Sequence, residues 1–519
     1  MDNKVVTTRS SSLQEICRQN WKTVSTLLAT LLACIVLLPL LGHKPLTNWD
    51  EGIYAEVSRE MLLRDFLVPH WNYQPWFEKP PLMLWITAVF FKLFGINEFW
   101  ARAGSALSGV GIVALVHWWL LHRKDMLAAW LSTFILLSTF GFLHVSRVGE
   151  MDVLLSLGCC VALCGLSAIQ DRKLSGWYLF WAGLAIALMA KGSASVVLVI
   201  AALLFAVVER WNSARLGRSF WLGLLFFLFA ALPWHLYMFH LYGNSFLTEY
   251  FGFHVLSRAT HQIEDHITHW WYYFWVLLIS AAPFVLLYPF AIAHSFKRRE
   301  LRVWAIFAFV VIFFFTLVQT RLPHYIAPAY PALALITSVY LADGLRQLQQ
   351  RQLQQRQLQP RRSQSPFSFW TTVTILAILL CIASAFLTSG PRKKLHEAKV
   401  SADIVSAEKE SIQLLREVFS QPQPVPGPLL VWWEGNARSI ATSVFYARRP
   451  VQQVQPQPLP IGVPTDKYLF QPETLEDAVA SGPHIILLDK SLVQQVPSQF
   501  SYSQIVSGQS MEVGTIARR

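Results

Sequence analysis

Long apolar runs separated by short charged loops occupy most of the chain. These runs lie at residues 23–41, 99–121, 126–145, 153–169, 174–190, 194–208, 220–241, 270–293, 303–318, 326–341 and 369–387. An α-helix that crosses a hydrocarbon core about 30 Å thick needs about 20 predominantly apolar residues. The pattern therefore predicts a polytopic α-helical membrane protein with about eleven spans.

The loops between these runs alternate in charge. Carboxylates and histidines collect in every second loop, whereas Lys and Arg dominate the loops at 122–124, 171–173, 209–218 and 297–302. Basic loops of membrane proteins face the cytoplasm. Residues 1–22 are therefore expected to be a cytoplasmic N-terminus, with the acidic loops outside. The apolar stretch 80–94 is too short to span comfortably and is expected to lie along the outer interface.

The chain divides into regions of different composition. We expect a transmembrane domain at 23–342, a basic, Gln-rich cytoplasmic loop at 343–368 and a last span at 369–387. The remaining residues, 390–519, contain short apolar stretches typical of buried strands at 428–433 and 484–488, and a helical pattern at 437–447. These patterns predict a small extracytoplasmic α/β domain at the C-terminus.

Composition supports a membrane protein and argues against a nucleic-acid partner. The chain is 54% hydrophobic and only 14% charged, whereas soluble domains carry about 25% charged residues. The net charge of +12 comes from bases in short loops, the pattern that orients spans, so membrane lipids are the expected partners. The six cysteines have neither disulfide nor metal spacing. The absence of any Asn-x-Ser/Thr sequon favours a bacterial protein.

The first outer loop concentrates charge beside aromatic residues, at 47–65 and 76–85. Charge in a membrane costs about 2.5–3.5 kcal/mol per group at a helix centre, so it usually has a function. Residues 51–64 carry an apolar stripe at helical spacing and predict an amphipathic helix on the outer surface. Asp50 stands at its start. It is either a reactive carboxylate kept ionised by the helix dipole or only an N-cap.

Several fragments resemble, in the same order, the membrane glycosyltransferases of the GT-C class. The class includes the bacterial lipid A aminoarabinose transferases and their protein O-mannosyltransferase relatives. The resemblance covers about residues 23–342. The fragments are Trp49-Asp50-Glu51, Tyr54-Ala55-Glu56, Phe77-Glu78-Lys79-Pro80-Pro81, Phe94-Gly95 with Asn97-Glu98 and Ala101-Arg102, and Arg321-Leu322-Pro323-His324-Tyr325.

The resemblance implies a GT-C-like fold and transfer of a sugar from a polyprenyl-phosphate carrier. The acceptor would be a lipid, glycan or protein at the outer face of the bacterial plasma membrane, and the reaction would invert the anomeric centre. Asp50 matches the catalytic carboxylate that deprotonates or orients the acceptor hydroxyl, and Asp152 resembles the second outer-loop acid. The expected substrate-binding residues are Glu51, Arg59, Lys79, Arg321, His324 and Tyr325. A cation among them would stabilise the negative charge on the leaving phosphate.

The resemblance also implies a divalent metal site and reveals one departure from the family pattern. Glu78 and His266 match positions where zinc or manganese can bind, although a lone His in a His-rich loop is more often a surface residue. Relatives often carry Ala-Arg where this chain has Gly52-Ile53, so Arg59 or Arg321 would have to replace the missing base. Lys191 would serve as a further phosphate ligand or simply extend to the membrane surface.

Two other classes of protein fit part of the pattern. A multi-pass lipid or solute transporter would show internal repeats and polar residues at mid-membrane. No half-to-half repeat is visible here, and the ionisable residues gather on one face, which favours chemistry at the membrane surface. A non-catalytic membrane scaffold would make the outer carboxylates dispensable.

Overall fold

The structure, a computed structural model, describes most of the chain. The predicted last span at 369–387, the end of the Gln-rich loop and His266 lie outside the described residues. The described residues are 3–47, 49–123, 125–257, 269–358, 402–420, 425–432, 442–455, 473–480 and 482–519.

Helices form most of the described chain, with two short strands between the second and third helices and six further strands near the C-terminus. The helices are α1 (Asn3–Leu37), α2 (Asp50–Leu63), α3 (Leu82–Phe94), α4 (Glu98–His122), α5 (Met126–Ser138), α6 (Phe140–Arg147), α7 (Asp152–Gln170), α8 (Gly176–Lys191), α9 (Val196–Val208), α10 (Arg218–Leu247), α11 (Tyr272–Ser280), α12 (Tyr288–Lys297), α13 (Arg302–Leu317), α14 (Ala329–Leu358), α15 (Ala402–Phe419), α16 (Ser443–Ala447), α17 (Leu475–Ala478) and α18 (Lys490–Val493). The strands are β1 (His70–Trp71), β2 (Gln74–Pro75), β3 (Leu429–Trp432), β4 (Val451–Gln455), β5 (Glu473–Thr474), β6 (His484–Asp489), β7 (Phe500–Ser507) and β8 (Met511–Arg518).

Six described helices are long and apolar enough to cross a membrane, and the number rises to eight if two bent pairs each count as one span. One pair, Met126–Ser138 with Phe140–Arg147, bends by 66° at Thr139, whose backbone is extended. The other pair bends by 117°. The predicted helical membrane architecture is present in the described residues, whereas the predicted count of about eleven spans is not reached there. The short apolar helix Leu82–Phe94 corresponds to the stretch expected at the interface.

The chain forms two compact units. The helical unit contains Met1–Pro39, Phe77–Met83 and Ala103–Ser389, and the sheet unit contains Leu40–Trp76, Leu84–Arg102 and Gly390–Arg519. In the helical unit, α7 and α8 pack closely through small residues. A Cβ at Gly158 would lie 2.7 Å from the backbone nitrogen of Ala187, and one at Gly183 would lie 2.4 Å from the carbonyl oxygen of Gly158. These glycines therefore let the two helices approach backbone to backbone.

The sheet unit contains a mixed six-stranded sheet in the order β5-β4-β3-β6-β8-β7. Strand β3 pairs in parallel with β4 and β6, while β8 pairs antiparallel with β6 and β7. Alternate residues of the central strands enter two separate hydrophobic clusters, because successive side chains point to opposite faces. Leu429 and Val431 belong to one cluster, and Leu430 and Trp432 belong to the other.

The sheet unit also contains α2, and here the structure corrects an expectation. We expected an amphipathic helix lying on the outer surface, but residues 51–61 of α2 are all buried. One reason is visible at Gly52, where a Cβ would lie only 2.0 Å from Cγ2 of Thr442. The side chains on the polar side of α2 are therefore buried as well, and its charges need partners.

Candidate functional site

Asp50 is the first residue of α2, and its carboxylate has no partner in the described part of the chain. The residue before the helix is Trp49, which adopts a φ of 74° and makes no side-chain capping bond. The first helical hydrogen bond runs from Ile53 N to the Trp49 carbonyl at 2.9 Å. Asp50 is therefore not the N-cap. It is a half-buried carboxylate at the positive end of the helix dipole.

The next acid, Glu51, is held by Arg102. The Arg102 Nε atom donates to Glu51 Oε1 at 2.6 Å, and Nη2 donates to Oε2 at 2.9 Å. The remaining guanidinium hydrogens bind the carbonyls of Leu41, Lys44 and Pro45. The Glu51 side chain is 0% exposed. This pair ties together the loop before Asp50, and it leaves Glu51 no exposed oxygen for the substrate contact expected from the sequence.

Two further acids of α2 are also engaged. Arg59 binds Glu56 with two hydrogen bonds, Nε to Oε2 at 2.7 Å and Nη2 to Oε1 at 2.6 Å. Tyr73 N donates to Glu60 Oε2 at 2.7 Å. Burial, together with the charge of Glu56, raises the pKa of Glu60 to about 8. Arg59, expected to replace a missing phosphate ligand, instead neutralises a buried carboxylate.

A second cluster of charges lies in the helical unit. Asp152 is the first residue of α7, and Lys191, the last residue of α8, donates to its Oδ2 at 2.5 Å. Both side chains are largely buried, with 3% and 11% exposed. The Lys191 ammonium also lies 5.1 Å from the centre of the Tyr325 ring, a cation–π distance. Lys191 thus contacts two predicted site residues and does not extend freely to the surface.

Lys79 and Lys191 belong to neighbouring turns of the helical unit. Lys79 Nζ lies 3.6 Å from Glu78 Oε2. Pro80 approaches Gly192, whose φ is 57°. A Cβ at Gly192 would lie 3.4 Å from Pro80 Cγ and 2.7 Å from Tyr250 Oη. Glycine is the residue best suited to a position with a positive φ and no room for a Cβ. The Lys191-Gly192 turn therefore allows the turn that follows Lys79 to pack closely.

One group of possible metal ligands occurs among the residues that the structure describes. Glu150, Asp152 and His324 each place a ligand atom within 4.8 Å of the others, and His324 Nδ1 lies 3.8 Å from Glu150 Oε2. Carboxylate and imidazole donors suit zinc or manganese. One Asp152 oxygen, however, already accepts from Lys191. The predicted metal ligand Glu78 is not in this group, and His266 lies outside the described residues.

The predicted site residues thus fall into two sets. The helical unit brings together Asp152, His324 and Tyr325, and it holds Arg321 with its guanidinium on the Thr316 carbonyl at 2.7 Å. The sheet unit holds Asp50, Glu51 and Arg59. The role of Arg102 was missed, although it stands in a matched fragment, because its partner Glu51 is 51 residues away in sequence.

Comparisons with known proteins bear on the fold and family. The sequence profile described as dolichyl-phosphate-mannose-protein mannosyltransferase matches residues 78–237. An uncharacterised protein of Aquifex aeolicus is 31% identical over 303 residues, which cover 57% of this chain and 68% of that protein. The undecaprenyl phosphate-alpha-4-amino-4-deoxy-L-arabinose arabinosyl transferase of Erwinia tasmaniensis is 30% identical over 322 residues, which cover 59% of this chain but only 57% of the relative.

Solved structures of similar fold cover nearly the whole chain. The crystal structure of ArnT from Cupriavidus metallidurans, bound to undecaprenyl phosphate, has a TM-score of 0.69 at 18% identity and covers 94% of this chain and 97% of that one. The Archaeoglobus fulgidus oligosaccharyltransferase in its apo form has a TM-score of 0.52 at 14% identity, over 83% of this chain and 64% of that one. At these identities the likeness concerns the fold.

Proposed function

This chain belongs to the membrane glycosyltransferases of the GT-C class that resemble the aminoarabinose and protein mannosyltransferases, and on that basis we propose that it transfers a sugar from a polyprenyl-phosphate donor. The acceptor is a lipid, glycan or protein at the extracytoplasmic face of the bacterial plasma membrane. The names of the curated relatives suggest undecaprenyl phosphate as the carrier and aminoarabinose as the first sugar to test.

In the proposed reaction Asp50 accepts the proton of the acceptor hydroxyl. The acceptor oxygen then attacks the anomeric carbon and forms the new glycosidic bond with inversion. The bond from that carbon to the phosphate oxygen breaks, and the electron pair leaves with the polyprenyl phosphate. The family resemblance assigns Lys79 and Tyr325 to the leaving phosphate, where preorganised donors have the largest effect.

One observation carries the assignment of Asp50. Of the four acids in α2, Glu51 forms a bidentate ion pair with Arg102 and Glu56 forms one with Arg59. Glu60 accepts a backbone N–H. Asp50 makes no hydrogen bond or ion pair within the described part of the chain. A carboxylate left without a partner in a segment that neutralises its other acids is available for proton transfer.

The test is sugar transfer by membranes that contain wild type or Asp50→Asn. Asn keeps the shape of the side chain and is tolerated at helix starts, but it cannot accept the proton. General-base catalysis is worth about 10²–10⁴-fold, so we expect transfer to fall by at least about 100-fold with normal expression and thermal stability.

The matched control is Asp65→Asn. Asp65 is an acid of the same outer loop, and its carboxylate accepts a hydrogen bond from Leu67 N at 2.8 Å. Its variant should transfer sugar at the wild-type rate. If Asp50→Asn transfers sugar at the wild-type rate, Asp50 is not the general base. Absence of transfer from every polyprenyl-phosphate donor by the wild type itself would contradict the proposed function as a whole and favour the transporter alternative.

A further inference from the structure

A basic cavity of about 410 Å³ lies between the turns that follow α7 and α9. Three arginines (Arg172, Arg210 and Arg215) and Trp211 are among its lining residues, and the lining contains no carboxylate. Helix α7 begins at Asp152 and spans 19 residues, about 28 Å at the α-helical rise. The cavity is thus at the opposite end of α7 from the candidate site, and the proposed function makes no use of it.

Two of these arginines occupy backbone positions that normally take glycine. Arg172 and Arg210 have φ values of 63° and 49°. Each follows the end of its helix in a Schellman turn: Lys173 N donates to the Ala168 carbonyl, and Trp211 N donates to the Ala206 carbonyl, both at 2.9 Å. A left-handed conformation is unfavourable for a residue with a Cβ. Two adjacent turns therefore present a cation at some cost to local backbone stability.

The neighbouring carboxylates do not neutralise these cations. Asp171 pairs with Arg123 at 2.7 Å, and Glu209 pairs with Arg299 and Arg302 at 2.9 Å and 3.0 Å. Arg172 and Arg210 make no ion pair among the residues that the structure describes.

Arg215 is fixed in place by different contacts. Its guanidinium donates to the Ile169 carbonyl and stacks 5.6 Å from the Trp211 ring, while its own carbonyl accepts from the Trp177 indole at 2.8 Å. The cavity thus combines one fixed cation with two that have no counter-charge from the adjacent acids.

The surroundings of the cavity are typical of a membrane surface. The turns that form it connect apolar helices, and Trp177 and Trp211 pack together at 6.1 Å, with Phe220 4.7 Å from Trp177. Trp221 is 60% exposed. Tryptophans concentrate where the chain leaves the hydrocarbon, and basic pockets between membrane helices bind lipid headgroups. Arginine binds phosphate oxygens with paired hydrogen bonds.

We propose that this cavity binds the phosphate-bearing headgroup of an anionic phospholipid. Arg172 and Arg210 would bind the phosphate oxygens, and Arg215 on Trp211 would form the fixed wall. The site is independent of sugar transfer, so its test does not depend on the proposed function.

The test compares wild type with the double variant Arg172→Gly/Arg210→Gly, as full-length protein in detergent micelles. Glycine suits both left-handed positions, so the variant should melt at or above the wild-type temperature without added lipid. Native mass spectrometry then measures retention of phosphatidylglycerol against phosphatidylcholine. We expect wild type to retain phosphatidylglycerol preferentially and the double variant to retain it at least 10-fold less.

The control variant Lys297→Gln/Arg351→Gln removes two exposed bases outside the cavity and should retain phosphatidylglycerol like wild type. Equal retention by the glycine variant, or equal retention of phosphatidylcholine by wild type, would overturn the proposal. A second arm adds inorganic phosphate without lipid. If phosphate alone stabilises wild type as much as the lipid does, the cavity binds a soluble phosphate and the lipid assignment is wrong.

Discussion

Asp50 and Asp152 occupy the same position in their helices but have different surroundings. Each is the first residue of a helix, and each follows a residue, Trp49 or Met151, that makes no side-chain capping bond. Asp152 is 3% exposed and pairs with Lys191, whereas Asp50 is half-buried and has no partner in the described chain. The helix dipole favours an anion at both positions. The two acids therefore share their helix position and differ in their partner, and this difference is the basis on which we propose Asp50 as the reactive acid.

Arg102→Ala should have the largest effect on the comparison, because it destroys the support of Asp50 without touching Asp50. The change removes five hydrogen bonds and leaves Glu51 as a buried charge. Breaking a buried pair in this way costs about 3–5 kcal/mol. Chemical or thermal unfolding should show this loss, while Lys92→Ala, at an exposed lysine of the same unit, should change stability by less than about 0.5 kcal/mol. Equal stabilities would mean that Glu51 finds another partner.

Asp152→Asn tests the paired member. It leaves the Lys191 ammonium without its carboxylate, and we expect a loss of about 2–3 kcal/mol, the cost of an unsatisfied charged hydrogen bond. A double-mutant cycle with Lys191→Met measures the interaction itself, which should be about 0.5–3 kcal/mol. An interaction energy near zero would show that the pair does not stabilise the helical unit.

Gly52→Ala tests how closely α2, the helix that carries Asp50, is packed. The new Cβ would lie 2.0 Å from Thr442 Cγ2, so α2 or its neighbour must shift, at about 1–3 kcal/mol. Thr442→Ala in the same chain removes Cγ2 and should recover part of that loss. Stability and sugar transfer should fall together in Gly52→Ala, because the helix that carries Asp50 moves. Unchanged melting of Gly52→Ala would contradict the close packing at this position.

Glu60→Gln should have the smallest effect at pH 4.5, and its effect should grow as the pH rises from 4.5 towards 8. The pKa of Glu60 is raised from its ordinary value of 4.5 to about 8, so the folded state holds a proton that the unfolded state releases. The stability from this group is complete below pH 4.5 and is lost as the pH rises towards 8. Glu60→Gln should therefore melt like wild type at pH 4.5 and above it at pH 8. Parallel melting curves at both pH values would refute this.

The sequence predicted the bounds of the apolar helices well but did not predict where they bend. The run at 153–169 became Asp152–Gln170, and the run at 99–121 became Glu98–His122, because apolar length marks a membrane helix directly. The run at 126–145 concealed the bend at Thr139. Hydropathy is insensitive to bends, since both halves remain apolar.

The sequence identified individual candidate residues of the site but not the distant residues that contact them. Asp50 was identified as a helix start, but whether it capped the helix stayed open until Trp49 was seen in that position. The prediction that α2 lies on the outer surface was wrong because Thr442, which packs against α2 at Gly52, comes from a distant part of the sequence. The Lys191 partner of Asp152 is 39 residues away, beyond any local pattern.

The most direct test measures sugar transfer and melting temperature together for Asp50→Asn and Asp152→Asn. We predict that Asp50→Asn loses at least about 100-fold in rate with an unchanged melting temperature, whereas Asp152→Asn melts measurably lower. If Asp50→Asn transfers sugar at the wild-type rate, or loses rate only in proportion to a lower melting temperature, the unpaired aspartate is not the reactive one.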